Sequence, residues 1–208
     1  MAENPSLPPQ IDRESLSKLE QEFYQQYGHA LANWARLEQT FSELFCEVCR
    51  FHAGELGPAL FFSGKSFNTR SALLSAAVRA SDLEEPVREV VRALLKKARQ
   101  FETARNKITH GYPAHAVYDG VEWQGWRIKE GDEAYAPGGV GLQELQNAAE
   151  CFSRLEFWVE RTKSLISNWR VKARMPVEEF LRPIRELPND ALLPLADPTI
   201  EGSGSPDQ

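Results

Sequence analysis

Residues 105–110 place three chemically capable side chains near the end of a predicted helix: Arg105, Asn106 and His110. Successive helical residues are about 100° apart, so Asn106 and His110 share a face, while Arg105 lies about 140° from His110. Arginine carries a permanent positive charge, and an imidazole exchanges a proton near neutral pH. A cation that stabilises charge growing on phosphorus and an imidazole that moves a proton suffice for metal-free phosphodiester cleavage. The segment predicts such a site, without a metal ion or a cofactor.

Three charged residues occupy positions where helical periodicity calls for apolar side chains: Glu38, Arg70 and Arg105. An unpaired charge is costly to bury, so charges in such positions are commonly paired or functional. One acid and two bases that converge inside a helical bundle can form one pair and leave one cation over. We therefore expect Glu38 and Arg70 to support Arg105.

The segment 86–111 contains seven basic and two acidic residues, although the whole chain has a net charge of −6. The acidic balance argues against a general polyanion binder, so a nucleic-acid contact has to come from a local basic patch. We expect Lys96, Lys97, Arg99 and Lys107 to contact the phosphates of a nucleic acid. A solvated charged helix face is the alternative interpretation of the same pattern.

Three other motifs favour structural roles. The Gly64-Lys65-Ser66 tripeptide lacks the earlier glycine and the preceding strand of a phosphate-binding loop. Cys46 and Cys49 have no second ligand pair at a spacing that would complete a zinc site, so we interpret them as small core thiols. Trp123 and Trp126 suit an aromatic hairpin that covers a core edge better than a platform for nucleobases.

Apolar residues at spacings of three and four predict the helices that must position these groups. The pattern indicates helices over roughly 13–27, 29–52, 67–80, from near Pro86 to Gly111, and about 142–174, with Gly28 either breaking or bending the first stretch. Aromatic and β-branched runs around Asp119-Gly120 predict a β-hairpin. The fold class is therefore all-α: an antiparallel bundle of four to five helices with a small β-hairpin inserted before the last long helix.

Prolines mark the ends of the predicted domain. Nine of the thirteen lie in the first ten or the last thirty-odd residues. We therefore divide the chain into an extension over 1–11, the bundle over 12–175 with its hairpin at about 114–130, and a tail over 176–208. The tail is expected to be largely disordered, with at most one short helix near 177–186. Three cysteines and the lack of a signal peptide or a long apolar run predict a cytoplasmic protein that does not span a membrane.

These residues resemble a known family. The Arg105-Asn106-x-x-x-His110 motif at the end of a late bundle helix is similar to the Arg-polar-x(3–5)-His signature of HEPN-domain proteins. The Trp34-x-x-Leu37-Glu38 helix is similar to one HEPN-like subgroup of bacterial proteins. The resemblance covers roughly residues 28–170 and leaves out both proline-rich ends.

The resemblance implies a metal-independent endoribonuclease of a toxin or phage-defence type. HEPN domains commonly form homodimers in which the motif helices of two copies meet, and many cleave RNA by attack of the ribose 2′-hydroxyl, which leaves a 2′,3′-cyclic phosphate. Carried onto this chain, Arg105 would stabilise the transition state and His110 would act as general acid or base. Asn106 would orient His110 or a phosphate oxygen. RNA, a second copy and an antitoxin or regulatory protein are the implied partners.

Two other functions remain open at this stage. The chain can be a catalytically inactive HEPN-like module for dimerisation, or for binding a partner protein or a nucleotide, in which Arg105, Glu38 and Arg70 form a buried network. It can also be an unrelated helical interaction protein. A single sequence does not separate a retained motif from a vestigial one.

Overall fold

The computed structural model describes residues 13–51, 54, 56–117, 124–129, 139–169 and 177–195. This part of the chain is a helical bundle with one small antiparallel hairpin, which confirms the predicted fold class. The elements are α1 (Arg13–Cys49), α2 (Leu56–Phe62), α3 (Phe67–Ala80), α4 (Glu85–His110), β1 (Tyr112–Val117), β2 (Gln124–Lys129), α5 (Leu142–Trp169) and α6 (Glu178–Glu186). None of the described helices combines the length and the apolar character needed to cross a membrane.

Helix α1 is one continuous helix and forms the main pair of the bundle with α5. It runs through Gly28, so the two helices predicted on either side of that glycine are a single element. Two polar links fix its position along α5. The side-chain amide of Asn33 donates to the carbonyl oxygen of Ala149 at 2.7 Å, and the Lys163 ammonium contacts the Glu43 carboxylate at 2.5 Å.

The stretch between α1 and α3, where no helix was predicted, contains the short helix α2. Gly57 is buried there, and a Cβ atom built on it would lie 2.5 Å from the Cys46 sulfur, so a glycine permits the close approach of α2 to α1. Phe61 of α2 is fully buried. Gly57 and Pro58 are residues that often interrupt helices. Here Gly57 lets α2 pack closely on α1, and Pro58 is tolerated because it lies in the first turn of α2.

Helix α4 begins and ends where the sequence indicates. Pro86 lies in its first turn, and the Gly111 amide closes the helix by donating to the Lys107 carbonyl at 3.1 Å. A Cβ atom built on Gly111 would lie 2.2 Å from a methyl carbon of Ile128 on β2. The glycine thus lets the hairpin lie directly against the end of α4, next to His110.

The predicted hairpin is present. Strands β1 and β2 pair antiparallel, from Tyr112 opposite Lys129 to Val117 opposite Gln124. The ring of Trp126 packs on the rings of Phe23 and Tyr24, with ring centres 6.3 Å and 5.6 Å apart. It therefore covers an edge of the core beside α1. The Asp119-Gly120 turn and Trp123 lie outside the described residues.

The short helix that the sequence allowed near 177–186 is present as α6, and the packed part of the tail extends further than predicted, to residue 195. Helix α6 packs on α4 and α5 and buries Phe180, Leu181 and Ile184, and Leu187 and Ala191 are buried after it. An apolar stripe one helical turn long is enough to dock this segment although prolines surround it. The N-terminal extension over 1–11 and the chain beyond 195 lie outside the described residues.

Candidate functional site

Glu38 and Arg70 form an ion pair between α1 and α3. A guanidinium nitrogen of Arg70 lies 3.0 Å from a carboxylate oxygen of Glu38, and their side chains are only 15–17% exposed. The Arg70 Nε also donates to the Gly64 carbonyl at 2.9 Å, and the guanidinium carbon lies 5.0 Å from the centre of the Phe62 ring. The two residues singled out as supporting partners therefore meet, and Glu38 is neutralised by Arg70.

The turn before α3 explains why Arg70 has this position. Gly64 is buried, and a Cβ atom built on it would lie 3.1 Å from the Arg70 side chain. Ser66 caps α3 by accepting a hydrogen bond from the Thr69 amide at 3.2 Å. The Gly64-Lys65-Ser66 tripeptide is thus a helix start that seats Arg70, and it follows the helix α2 rather than a strand.

Arg105 faces the interior side of α4, against α1. Its guanidinium carbon lies 6.0 Å from the centre of the Trp34 ring, and one of its nitrogens donates to the Asn106 side-chain oxygen at 2.9 Å. No described carboxylate forms an ion pair with it. Arg105 is half-buried, so its charge is held beside an aromatic face and an amide and keeps no counter-ion in the described part of the chain.

Trp34 provides the buried aromatic ring against which Arg105 packs. Its ring packs edge-on against Phe67 and Phe152, with ring centres 5.2 Å and 5.1 Å apart. The Trp34 residue is 3% exposed. The indole N–H is buried and has no hydrogen-bond acceptor in the described residues. Trp34 also stands one helical turn before Glu38, so α1 presents an aromatic face to Arg105 and a carboxylate to Arg70.

His110 is the last residue of α4 and is exposed. Asn106 lies one turn before it, half-buried and bonded to Arg105. No hydrogen bond or ring contact joins His110 to Arg105 or Asn106 within the described ranges. The structure therefore joins Arg105 to Asn106 by a hydrogen bond. It leaves His110 on the outer side of α4, about 140° from Arg105 on the helical wheel, although Asn106 and His110 share a face.

The outer side of α4 carries most of the basic residues of this helix. Lys96, Arg99 and Lys107 are exposed, and Lys96 and His110 are about 40° apart on an ideal helical wheel. The Arg99 guanidinium is held by two hydroxyl groups of α3, from Ser71 at 3.0 Å and Ser75 at 3.3 Å. These three basic side chains are accessible to a ligand, as a phosphate contact requires.

Lys97 does not fit the expected contact with RNA phosphates. It is 6% exposed, and its ammonium donates to the Leu187 carbonyl at 2.7 Å, the Pro188 carbonyl at 3.2 Å and the Asn189 side-chain oxygen at 3.2 Å. Burial lowers the pKa of this ammonium, and the neighbouring Lys96 charge adds to the effect. The sequence did not reveal this role because the acceptors lie some ninety residues away, in a segment expected to be disordered.

The structure adds residues that the sequence analysis did not assign to a site. Arg92, Gln100 and Arg185 line a groove between α4 and α6, next to Lys96. The spacing of four between positions 92, 96 and 100 was the available signal, because it places three polar side chains on one face opposite the apolar stripe. The contribution of Arg185 has no sequence signal, since it depends on the docking of α6.

The cysteines show no arrangement for metal or redox chemistry. No group of three or more His, Cys, Asp and Glu residues that could hold a metal ion occurs among the described residues. All three thiols are free, and burial raises the pKa of Cys46 and Cys49. Cys151 is fully buried, and burial raises its pKa to about 12. The thiols are therefore poor nucleophiles in the folded chain.

Comparison with known proteins does not assign this chain to a family: no family model, no curated protein and no solved structure matches it.

Proposed function

We propose that the protein is a metal-independent endoribonuclease of a toxin or phage-defence type, in which Arg105 stabilises the developing charge on phosphorus and His110 transfers a proton. Asn106 holds the Arg105 guanidinium through the 2.9 Å hydrogen bond. Attack by the ribose 2′-hydroxyl then produces a 2′,3′-cyclic phosphate and a free 5′-hydroxyl.

One observation carries this proposal. Arg70 forms an ion pair with Glu38. Arg105 therefore lies beside Trp34 without a carboxylate paired to it among the described residues. A cation in a partly dry site attracts a phosphate oxygen more strongly than a fully solvated one. The ion pair and the lone cation together form the arrangement that one acid and two bases were expected to give.

The separation of Arg105 from His110 favours a site built by two copies. The two side chains lie about 140° apart on one helix, so a single copy presents them on opposite sides of α4. If α4 of a second copy packs beside Arg105, the imidazole of that copy can reach the same phosphate. We therefore propose a homodimer in which each site combines Arg105 of one chain with His110 of the other.

The test is cleavage of total RNA by the purified protein in EDTA. We expect cyclic-phosphate products from the wild type and a loss of rate of about 100-fold or more in His110→Ala and in Arg105→Ala. Arg105→Lys should retain part of the rate, because it keeps the charge and loses the planar donor pair. His29→Ala is the matched control, since His29 is an exposed helical histidine on α1. Cleavage that needs a divalent metal, or that survives both alanine substitutions, refutes the proposal.

Mixing the two inactive variants tests the shared site. In a mixed dimer of Arg105→Ala and His110→Ala, one of the two composite sites keeps both residues, so the mixture should recover about a quarter of wild-type activity. A site contained within one chain predicts no recovery. Strictly monomeric wild-type protein in size exclusion would also contradict a composite site.

The alternative function is an inactive helical module that dimerises or binds a partner. The half-buried position of Arg105 on Trp34 is compatible with a purely structural role in such an interface. That alternative predicts no cleavage by the wild type, together with dissociation of the dimer in Arg105→Ala.

A further inference from the structure

Two grooves lie on either side of the outer ridge of α4, which is formed by Arg92, Lys96 and Gln100. The groove toward α6 has a volume of about 350 Å³, and the groove toward α3 has a volume of about 590 Å³. All three ridge residues line both grooves. A ligand placed on the ridge can therefore extend into either groove, and both volumes lie in the range of small-molecule sites.

The ridge offers positive charge that is only partly neutralised. Arg92 pairs with Glu85 at 2.7 Å, and Arg185 across the groove pairs with Glu89 at 3.1 Å and with Glu178 at 3.5 Å. Lys96 and Arg99 form no ion pair within the described residues. Arg99 is also oriented, because the hydroxyls of Ser71 and Ser75 hold its guanidinium. The pair Lys96 and Arg99 is thus the place where an anion gains most from this surface.

The groove toward α6 has a different chemistry. Ala93, Leu181 and Ile184 give it an apolar floor. The side-chain carbonyl oxygen of Gln100 is buried and has no hydrogen-bond donor in the described chain. A buried acceptor without a donor costs free energy, and a ligand that supplies an N–H or O–H group recovers it. An apolar floor beside one unsatisfied acceptor suits a flat heterocycle that carries a donor, provided that the Gln100 amide turns toward the groove when the ligand binds.

From these features we infer that the ridge and the α6 groove bind a nucleotide unit. Lys96 and Arg99 hold its phosphate, and the base lies on Ala93, Leu181 and Ile184 and donates a hydrogen bond to the Gln100 oxygen. The unit can be a free nucleotide or one nucleotide of an RNA strand. In the second case the inference rests on the proposed ribonuclease function and names a specificity subsite for it.

The position of the groove fits an RNA strand that reaches His110. Gln100 precedes His110 by ten residues on α4, which is about 15 Å along the helix axis. Gln100 and His110 lie about 80° apart around the helix, with Lys96 between them, and Lys107 is exposed on the same side. A strand of two or three nucleotides spans this distance, so the groove would bind a base upstream or downstream of the scissile bond.

The test is direct binding to the full chain, measured by fluorescence anisotropy with a labelled 2′-O-methyl oligoribonucleotide of about eight nucleotides. The methyl group blocks 2′-hydroxyl attack, so binding is measured without cleavage. The double variant Lys96→Gln/Arg99→Gln should bind about tenfold more weakly and reduce the slope of log K against log salt by about 1.4. Gln100→Leu should weaken binding about fivefold while leaving the folded state intact, because it removes an unpaired acceptor.

Lys65→Gln is the matched control, since Lys65 is exposed in the turn between α2 and α3, away from both grooves. Its affinity should stay within twofold of the wild type. Equal losses in the control and in the double variant would show non-specific attraction and overturn the inference. Unchanged binding in Gln100→Leu would overturn the placement of the base.

Competition by the four nucleoside monophosphates identifies the source of the ligand. Displacement of the strand by a mononucleotide, lost in Gln100→Leu, indicates a free nucleotide. If the strand binds, mononucleotides do not displace it, and Gln100→Leu weakens the binding of the strand, the ligand is a nucleotide unit of RNA. The wild type binding neither would refute the inference. Because this assay does not involve catalysis, binding without EDTA-resistant cleavage rejects the proposed ribonuclease alone, and cleavage without dependence on the groove rejects the subsite alone.

Discussion

Lys96 and Lys97 are neighbours on α4, yet they have opposite surroundings. Lys96 is exposed and forms no ion pair with a described residue, whereas Lys97 is 6% exposed and donates to three oxygens of the segment after α6. A rotation of about 100° around the helix separates the two side chains. The same residue type is therefore a ligand-binding candidate on one side of the helix and a structural clamp on the other.

The two arginines farther along α4 repeat this contrast. Arg99 lies on the outer side, oriented by serine hydroxyls and open to solvent, while Arg105 lies on the inner side, against Trp34. Composition places both in one basic helix, but their exposure assigns them different tasks. An outer cation can bind a polyanion from solution, and an inner cation can act only on a group that enters the space beside α1.

The largest expected effect comes from removing the buried member of the lysine pair. Lys97→Met leaves two backbone carbonyls and the Asn189 oxygen without their donor, so we expect a loss of about 2–3 kcal/mol in the free energy of unfolding. Lys96→Met should change this free energy by less than about 0.5 kcal/mol, because its side chain is solvated. Urea unfolding monitored by circular dichroism measures both values.

Limited proteolysis shows where the Lys97→Met effect arises. Trypsin should cleave after Arg185 of α6 faster in Lys97→Met than in the wild type or in Lys96→Met, because the C-terminal segment is released first. Equal destabilisation by the two substitutions would contradict the division of α4 into an inner and an outer side.

The sequence predicted the elements better than the sides of α4. Apolar spacing was sufficient for α3, α4 and α5, and the Pro86 and Gly111 signals located both ends of α4. Glu38 and Arg70 were recognised because charges on an apolar stripe need partners. The role of Lys97 was not recognised, since its position on the helix shows only that it is near the stripe. Its acceptors belong to a docked segment that proline content alone had suggested was disordered.

Cys151 lies on α5, and burial is the main cause of its raised pKa, while the Lys97 charge on α4 partly offsets that effect. Alkaline pH therefore tests the buried interior around this thiol. Its thiol has a pKa of about 12 in the folded chain, against 9.0 for an unperturbed thiol. The unfolded state loses its proton first, so this thiol's contribution to stability is complete below about pH 9 and falls as pH rises toward 12. At pH 10 we expect a loss of about 1.4 kcal/mol from this group.

Comparison with Cys151→Ala isolates that contribution. The substitution lowers stability at every pH, but the change between pH 7 and pH 10 should be about 1.4 kcal/mol smaller than in the wild type. The lowered pKa of Lys97 acts in the opposite direction and is present in both proteins, so to first order it cancels. Parallel pH profiles for the two proteins would mean that the thiol is accessible, as would rapid labelling of Cys151 in the folded state.

The smallest effect on stability, and the most informative one for the site, concerns the ion pair that leaves Arg105 without a counter-ion among the described residues. Arg70→Met frees the Glu38 carboxylate. We expect this carboxylate to turn toward Arg105, because Glu38 lies one helical turn from Trp34, whose ring Arg105 contacts. We expect a coupling energy of about 1 kcal/mol between Glu38 and Arg70 in a double-mutant cycle with Glu38→Gln. Because Glu38 can then neutralise Arg105, RNA cleavage should fall more in Arg70→Met than in the double variant, whose glutamine carries no charge. If the double variant is instead the weaker enzyme, the Glu38–Arg70 pair itself takes part in catalysis. The activity then does not require Arg105 to be free of an ion pair.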